Sequence, residues 1–216
     1  MKKFKLHFPT VLNWSFWSLL YLFFLGWHGT FEKPLSLEEI NFYSKKLNEL
    51  NPDLSSAEFQ KLLERDRGKP IYMVNAIKHF DEPVKTKDQI RPMPSREVIR
   101  PYNNYVGMYL IKNGSYPVFL GDAMGGTAAK WGVDYEGEWS RAVIVRYRNI
   151  RTLLEMATKP EFNEKLDYKK AALERTIAYP TEARFTTGNL SLLVFFIFST
   201  VALVLQLIIN KIRVKN

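Results

Sequence analysis

The chain has 216 residues, enough for one ordinary domain with additional segments. Its formal net charge of +9 is concentrated in two basic tails, residues 1–7 and 211–216, which hold six Lys or Arg and no acid, so the charge does not indicate a nucleic-acid partner. Cysteine is absent and the three histidines lack a metal-binding spacing, which excludes disulfides and thiolate chemistry and leaves no metal and no cofactor to expect.

The first apolar stretch, residues 8–27, follows the N-terminal basic tail and has the length of a membrane span. About 20 helical residues with a 1.5 Å rise cover a hydrocarbon core about 30 Å thick, so we predict a membrane-spanning helix here. A cleaved signal peptide is the alternative, but no small-residue cleavage site follows in FLGWHGTFEK. We therefore expect an uncleaved anchor.

Residues 28–68 are predicted to form a helical connector. The motif SLEE at residues 36–39 is a capping box, and the helix that it opens should end before Asn51, which a proline follows. The motif SSAE at residues 55–58 is a second capping box, and Gly68 supplies the stop signal for its helix.

Residues 69–183 carry the alternation of strands and helices that is typical of a mixed domain. The first strand, KPIYMVNAIK at residues 69–78, is apolar on both faces, as in a covered sheet. The charged, proline-rich residues 81–101 are predicted to be a long loop. The clearest strand is SRAVIVRYR at residues 140–148, and Asn149 after it is predicted to cap a helix.

The remaining predicted elements of this region complete a known order. They are a helix whose Tyr102, Tyr105 and Tyr109 form a packing stripe (the tyrosine stripe), a strand at residues 116–121, helical segments after Asn149 and Pro160, and a short last strand at residues 176–180. Strand, helix, strand, strand, helix, strand predicts an α+β, ferredoxin-like βαββαβ fold. In that topology the first strand begins and the last strand ends at the same edge of the sheet, which suits a chain held to one membrane by both ends.

The second predicted span, residues 189–210, carries no formal charge. Basic residues concentrate on the cytoplasmic side of membrane proteins. The two tails are rich in such residues, whereas Lys33 and Arg184 are the basic residues nearest to the spans on their inner sides. We therefore expect a multi-pass protein of the plasma (inner) membrane of a bacterium, with both termini in the cytoplasm and the domain outside it.

The stretch EWSRAVIVRYRNIRTLLEMATKPEFNEKLDYKKAALERTIAYPTEA, together with GKPIYMVNAIKHF and PVFLGDA, resembles a bacterial domain-of-unknown-function family, numbered thirteen-thirty, in the dimeric α/β-barrel superfamily. The resemblance covers about residues 60–182. It implies a ferredoxin-like fold that dimerises by joining two sheets face to face, without a settled reaction. Superfamily relatives include small oxygenases, isomerases and haem-handling enzymes. One departure is Tyr168-Lys169, where relatives commonly carry a His-Arg pair.

Three residues are candidates for a ligand site. A cavity between sheet faces is lined by strand residues of one parity, and Asn75 and His79 share one face of the first strand. Arg146 could bind a ligand carboxylate through two hydrogen bonds. The alternatives are structural: Asn75 bonds to a neighbouring loop, His79 is a solvated strand end, and Arg146 pairs with one of the acids at positions 136, 138 and 155.

Three functional classes follow from these residues and spans. The leading hypothesis is a membrane-anchored binding domain, a homodimer through its sheet, that holds a small apolar or carboxylate-bearing ligand or a protein partner. The rival is a cofactor-free oxygenase or isomerase that uses Asn75, His79 and Arg146. The third is a structural subunit of a membrane complex, whose spans pack against the helices of a membrane-protein partner. Under each hypothesis the lipid bilayer is a partner of the spans.

Overall fold

The computed structural model describes residues 8–51, 57–86, 90–129, 131–132, 137–186 and 188–215. The chain divides into two compact units: Glu32–Arg184, the globular unit, and Met1–Phe31 with Phe185–Asn216, the hairpin unit. In chain order the elements are α1 (Phe8–His28), α2 (Leu37–Leu50), α3 (Ala57–Glu64), β1 (Ile71–His79), α4 (Ser95–Val98), α5 (Arg100–Lys112), β2 (Tyr116–Asp122), β3 (Arg141–Tyr147), α6 (Ile150–Ala157), α7 (Pro160–Ala172), β4 (Leu173–Thr181) and α8 (Leu190–Lys215).

Helix α2 begins at the first predicted capping box. Ser36 Oγ accepts a hydrogen bond from the Glu39 backbone N–H at 3.2 Å, and a Glu39 carboxylate oxygen accepts one from the Ser36 N–H at 2.8 Å. The helix ends at Leu50, just before Asn51, as predicted. The second box, residues 55–58, lies partly outside the described residues, and helix α3 ends at Glu64.

The four strands form one antiparallel sheet in the order β2-β3-β1-β4. Ile71 of β1 pairs with Tyr147 of β3, and Tyr72 of β1 pairs with Thr181 of β4. Helices α4 and α5 connect β1 to β2, and helices α6 and α7 connect β3 to β4. This is the βαββαβ order of ferredoxin-like folds, so the predicted α+β class is confirmed.

Both ends of the globular unit lie at one end of the sheet. Thr181, close to the exit toward α8, pairs with Tyr72 near the start of β1. At the other end of the unit, where the chain enters it, Glu32 accepts hydrogen bonds of 2.7 Å from the Arg148 guanidinium and from the Asn149 amide. Arg148 and Asn149 directly follow β3. The prediction that the first strand begins and the last strand ends at the same edge is therefore confirmed.

The core lies between one face of the sheet and the helices. Ile71 and Tyr147 from the sheet belong to one buried cluster with Leu154 of α6 and Phe162 of α7. The tyrosine stripe of α5 packs against this cluster, which agrees with its interpretation as a packing stripe. Burial of apolar side chains from both layers stabilises the arrangement by about 25 cal/mol per Å² of apolar surface.

Two segments differ from the sequence prediction. The predicted loop at residues 81–101 contains helix α4, because Ser95 and Val98 are buried there, Val98 in a cluster with Leu173. Strand β4 begins at Leu173 and not at residue 176, because β4 pairs with β1 as far as His79. Pairing with a neighbouring strand thus overrides the helical pattern of the preceding residues.

The hairpin unit contains α1 and α8, two helices that are long and apolar enough to cross a membrane by length and composition. The Asn13 amide donates a hydrogen bond to the Ala202 carbonyl oxygen at 2.9 Å. The Tyr21 hydroxyl donates one to the Ser191 carbonyl oxygen at 3.2 Å. Later residues of α1 therefore contact earlier residues of α8, so the two helices are antiparallel.

Candidate functional site

Successive side chains of β1 point to opposite faces of the sheet. The face that carries Ile71 and Met73 packs against α5, α6 and α7, and we call it the helix face. The opposite face is the open face. It carries Phe119, Ile177 and Tyr179, which are 50%, 55% and 52% exposed. A ligand held between the sheet and the helices of a single chain therefore lies on the helix face.

A cavity of about 390 Å³ lies on the helix face. Its volume is within the range of small-molecule sites, about 300 to 1,000 Å³. The apolar part of its lining includes Met73, Tyr102, Leu153, Met156, Phe162 and Leu166. The polar residues of its lining are Asn51, Asn75, Lys169, Lys170, Arg175 and Thr176. The cavity thus combines a largely apolar wall with a few polar contacts.

Lys169 supplies a positive charge to this cavity. It lies in the last turn of α7, and its Nζ is 5.4 Å from the centre of the Tyr102 ring. The half-buried side chain forms no ion pair with a described residue. Burial lowers the pKa of Lys169 below its ordinary value of 10.5, because the ammonium loses hydration. An anionic group on a ligand would supply a charge partner for the Lys169 ammonium.

Asn75 lies in the middle of β1 and lines the same cavity. Its amide nitrogen donates hydrogen bonds to Met73 O at 3.0 Å and to Val143 O at 3.3 Å. Its side-chain oxygen accepts no hydrogen bond from a described residue. Asn75 therefore bonds to strands β1 and β3, and not to a neighbouring loop, and keeps one acceptor for a ligand.

Tyr102 forms the part of the wall that α5 contributes. Its ring centre lies 6.1 Å from that of Phe162 on α7. Burial raises the pKa of Tyr102 to about 12, so its hydroxyl stays protonated near neutral pH. The two rings contribute apolar surface, and the Tyr102 ring also faces the Lys169 ammonium, a favourable cation–π arrangement.

His79 shares the helix face with Asn75 but is not among the residues that line this cavity. It is the last residue of β1, is only 6% exposed, and has its Nδ1 2.9 Å from Ser95 Oγ, within hydrogen-bond distance. Burial, together with the positive charges of Arg96 and Arg141, lowers the pKa of His79. The alternative prediction of a solvated strand end is therefore wrong. His79 instead connects α4 to the sheet.

Arg146 lies on the open face, since it pairs with Tyr72 of β1. Its guanidinium donates a hydrogen bond to the Gly114 carbonyl oxygen at 3.1 Å, and its Cζ lies 5.3 Å from the centre of the Tyr116 ring. The residue is 3% exposed, and this burial lowers the pKa of Arg146. These contacts hold the end of β3 against the turn between α5 and β2.

The three candidate residues are not brought together within one chain. Asn75 lines the cavity, His79 lies at the end of β1, and Arg146 lies on the other face. The enzyme hypothesis that combined all three gains no support from this placement. Sequence reasoning missed Lys169 as a cation of the cavity, whose lining also includes Lys170 and Arg175. The departure at Tyr168-Lys169 was the available signal, but the sequence does not show which side of α7 faces the sheet.

The arrangement is suited to binding a small organic anion. The Lys169 ammonium can face a carboxylate, the Asn75 oxygen can accept a hydrogen bond, and the apolar wall can cover the remainder of the molecule. Among the described residues, no group of three or more His, Asp or Glu side chains is placed to hold a metal ion.

Comparison with known proteins supports the fold alone. No protein-family model and no curated protein matches the chain, so the predicted family membership stays a prediction. The chain is similar to the crystal structure of a protein of unknown function from Rhodopseudomonas palustris, with a TM-score of 0.50 and 20% identity over 61% of this chain and 95% of that one. A methylated form of that protein gives a TM-score of 0.49 and 21% identity over 62% of this chain and 95% of that one. A dimeric protein of unknown function and ferredoxin-like fold from Bacteroides fragilis gives a TM-score of 0.32 and 12% identity over 53% and 96% of the two chains.

Proposed function

We propose that this chain is a membrane-anchored binding protein whose globular unit holds a small ligand with an apolar body and a carboxylate group. The observation that supports the proposal is the half-buried Lys169 ammonium, which faces an apolar cavity of about 390 Å³ without an ion pair to a described residue. A cation in such surroundings is costly unless it is paired. A bound carboxylate supplies the pair, and Asn75 orients a donor on the same ligand.

The proposal includes an anchor formed by α1 and α8, with spans at residues 8–27 and 189–210. The length and apolarity of both helices support it. Within the hairpin unit, the Gln206 amide donates to Thr10 Oγ1 at 2.9 Å, a contact that satisfies polar groups which lipid cannot satisfy. The basic tails support a cytoplasmic position for both termini, which puts the globular unit on the extracytoplasmic side of the inner membrane.

The proposal also includes a homodimer of the dimeric α/β-barrel type. Its sheets would join through the open face, where Phe119, Ile177 and Tyr179 expose apolar surface. Two sheets that pack face to face lie about 10 Å apart and bury such side chains between them. In this arrangement each protomer contains the connector, residues 28–68, and the ferredoxin-like domain, residues 69–183. Each protomer keeps its own ligand cavity on its helix face.

A titration with a soluble probe tests the ligand proposal. Phenylacetate has an apolar ring and a carboxylate, and phenylacetamide has the same shape without the charge. The full chain in lipid nanodiscs should bind phenylacetate, and Lys169→Met should weaken that binding about 10- to 100-fold, since a hydrogen bond to a charged group is worth about 1.5–3 kcal/mol. Isothermal titration calorimetry measures both affinities.

The control variant is Lys165→Met, one turn earlier on α7 and not among the residues that line the cavity. It should bind phenylacetate as the unmodified chain does, and phenylacetamide should bind all three proteins with similar affinity. Equal phenylacetate affinity for the Lys169→Met variant and the unmodified chain would contradict the proposal.

A further inference from the structure

A second cavity, of about 380 Å³, lies at the end of the sheet where the chain enters and leaves the globular unit. It is lined by Lys61 and Leu62 of α3, by residues 65–67 and 69–71, by Ile150, and by residues 180–182. Ile71 is the first residue of β1 and Thr181 the last of β4, so this cavity is distinct from the one that holds Lys169.

The acids of this cavity already have partners. Asp66 accepts hydrogen bonds from the backbone N–H groups of Leu35 at 2.7 Å and Gly68 at 2.9 Å, one on each carboxylate oxygen. Glu182 forms an ion pair with Lys69, with the nitrogen and oxygen 3.6 Å apart. Glu182 is therefore paired with Lys69, whereas Asp66 keeps its negative charge, so the four basic and two acidic residues of the lining leave the cavity with a net charge of +2.

Three cations remain. Lys61, Arg65 and Arg67 line the cavity, are exposed, and form no ion pair with a described residue. Guanidinium groups bind phosphate oxygens through paired hydrogen bonds, and lysine adds a mobile positive charge. The cavity thus offers a site for an anion with several acceptor oxygens.

Apolar side chains lie beside these cations. Leu62, Ile71, Ile150 and Pro180 line the same cavity. A free inorganic anion gains nothing from such a surface. A phosphate attached to a glycerol or acyl group gains from both parts of the cavity, because its polar end meets the cations and its carbon atoms cover apolar surface.

The position of the cavity points to the source of that phosphate, and this step rests on the proposed membrane anchorage. Four residue steps separate His28, the end of α1, from Glu32, and six separate Arg184 from Leu190, the start of α8. A chain spans at most about 3.6 Å per residue, so these tethers reach no more than about 14 and 22 Å. Both tethers join the end of the globular unit that carries the second cavity.

We propose that this cavity binds the phosphate of an anionic phospholipid headgroup, held by Lys61, Arg65 and Arg67. The bound lipid fixes the globular unit against the bilayer surface from which it is anchored. Phosphatidylglycerol has the required phosphodiester and a net negative charge, whereas phosphatidylcholine carries the same phosphodiester with a compensating cation. The cavity therefore distinguishes the two lipids by charge.

The test uses the full chain in neutral detergent, with added phosphatidylglycerol, phosphatidylcholine or inorganic phosphate, and follows the thermal unfolding midpoint. Phosphatidylglycerol should raise the Tm of the unmodified chain, and phosphatidylcholine should not. In the double variant Arg65→Gln, Arg67→Gln, the mole fraction of phosphatidylglycerol that gives half of the Tm increase should rise about thirtyfold. Each basic residue near an anionic surface contributes about 1 kcal/mol. Both arginines are exposed, so the Tm without lipid should stay unchanged.

The matched control is Arg91→Gln, Arg100→Gln, which removes two exposed charges that form no ion pair with a described residue and do not line the cavity. It should respond to phosphatidylglycerol as the unmodified chain does. An identical response of both double variants, or a Tm increase with inorganic phosphate and none with phosphatidylglycerol, would overturn the lipid assignment. Release of the chain from membranes by alkaline carbonate would instead contradict the anchorage. A failure of the lipid assignment can therefore be distinguished from a failure of the proposed membrane anchor.

Discussion

At the scale of single residues, the charge state of Lys169 controls the proposed binding. Burial lowers the pKa of Lys169 below its ordinary value of 10.5. A carboxylate binds to the protonated ammonium, so affinity should be full below the lowered pKa and should fall as pH rises through it. Phenylacetate titrations from pH 6 to pH 10 should therefore show the loss of affinity begin at a lower pH than the ionisation of an ordinary lysine.

Phenylacetamide is the control for this pH series, since it carries no charge and should bind with constant affinity. A phenylacetate affinity that stays constant from pH 6 to pH 10, as expected beside a lysine with the ordinary pKa of 10.5, would contradict the environment assigned to Lys169. The same result would also remove the main support for an anionic ligand.

Glu39 gives a second prediction at this scale. Its hydrogen bonds with Arg151, at 2.8 and 3.1 Å, and with the Ser36 N–H lower its pKa from 4.5 to about 2. The stabilisation should be fully present above pH 4.5 and should be lost as pH falls through about 2, because protonation removes the charge. Glu39→Gln keeps a capping residue but should reduce the free energy of unfolding at pH 7 by about 1 kcal/mol, a value at the upper end for a partly exposed pair.

Urea unfolding of the full chain at several pH values measures this difference. The difference in the free energy of unfolding between the unmodified chain and Glu39→Gln should shrink below pH 4.5, toward zero near pH 2. Glu38→Gln changes the neighbouring acid in the first turn of α2, which has no partner among the described residues, and should have a smaller effect at every pH. Equal effects of the two substitutions at pH 7 would refute the role assigned to Arg151.

The sequence predicts the relation between residues of one strand better than the relation between strands. Asn75 and His79 share a face because strand side chains alternate, and this follows from spacing alone. The face of Arg146 depends on the register between β1 and β3, which pairs it with Tyr72. β1 is apolar on both faces, so its sequence does not show which face the helices cover, nor that Lys169 reaches the cavity.

At the scale of elements, local signals located most boundaries. Ser36 and Asn149 cap α2 and α6 as predicted, since each side chain accepts a hydrogen bond from a backbone N–H three residues later. The predictions failed where long-range contacts decide the structure. Helix α4 forms where Val98 is buried, and Leu173 joins β4 because β1 offers a pairing partner.

The open face leads to a prediction about assembly. Ile177→Lys places a charge in the centre of the proposed dimer interface, where it would be buried without a partner. The dimer should dissociate at least 100-fold more readily, since an uncompensated buried charge costs about 3–5 kcal/mol. Sedimentation equilibrium in density-matched detergent measures the dissociation constant.

Met108→Lys is the control for this change, because Met108 is an exposed apolar residue of α5, on the helix side of the sheet. This variant should dimerise as the unmodified chain does. A monomeric unmodified chain, or equal dimer affinity for both variants, would contradict the open face as the interface.

At the scale of the whole molecule, the order of the strands was predictable because strand and helix patterns alternate clearly from residue 69 to residue 180. The two apolar helices were also predictable, from length and composition. The ligand was not, because it depends on which side chains from six different helices and strands reach one cavity. Fold alone does not specify such a site.

Topology supplies the prediction for the whole chain. A phosphatase that is active only outside the cytoplasm should be active when inserted near Lys87 and inactive when fused after Asn216. A fluorescent protein that matures only in the cytoplasm should give the opposite pattern, because the basic tails hold both termini inside. Phosphatase activity at neither position, with fluorescence at both, would place the globular unit in the cytoplasm.

The central claim, that the cavity holds a carboxylate against Lys169, is tested most directly by the molecules that the protein retains from the cell. The full chain and its Lys169→Met variant are purified in parallel in mild detergent, denatured with organic solvent, and the extracts are compared by mass spectrometry. The claim predicts an organic acid with an apolar body that is present in the extract of the unmodified chain and depleted at least tenfold in the variant. The same acids in equal amounts from both proteins, or no acid from either, would contradict it.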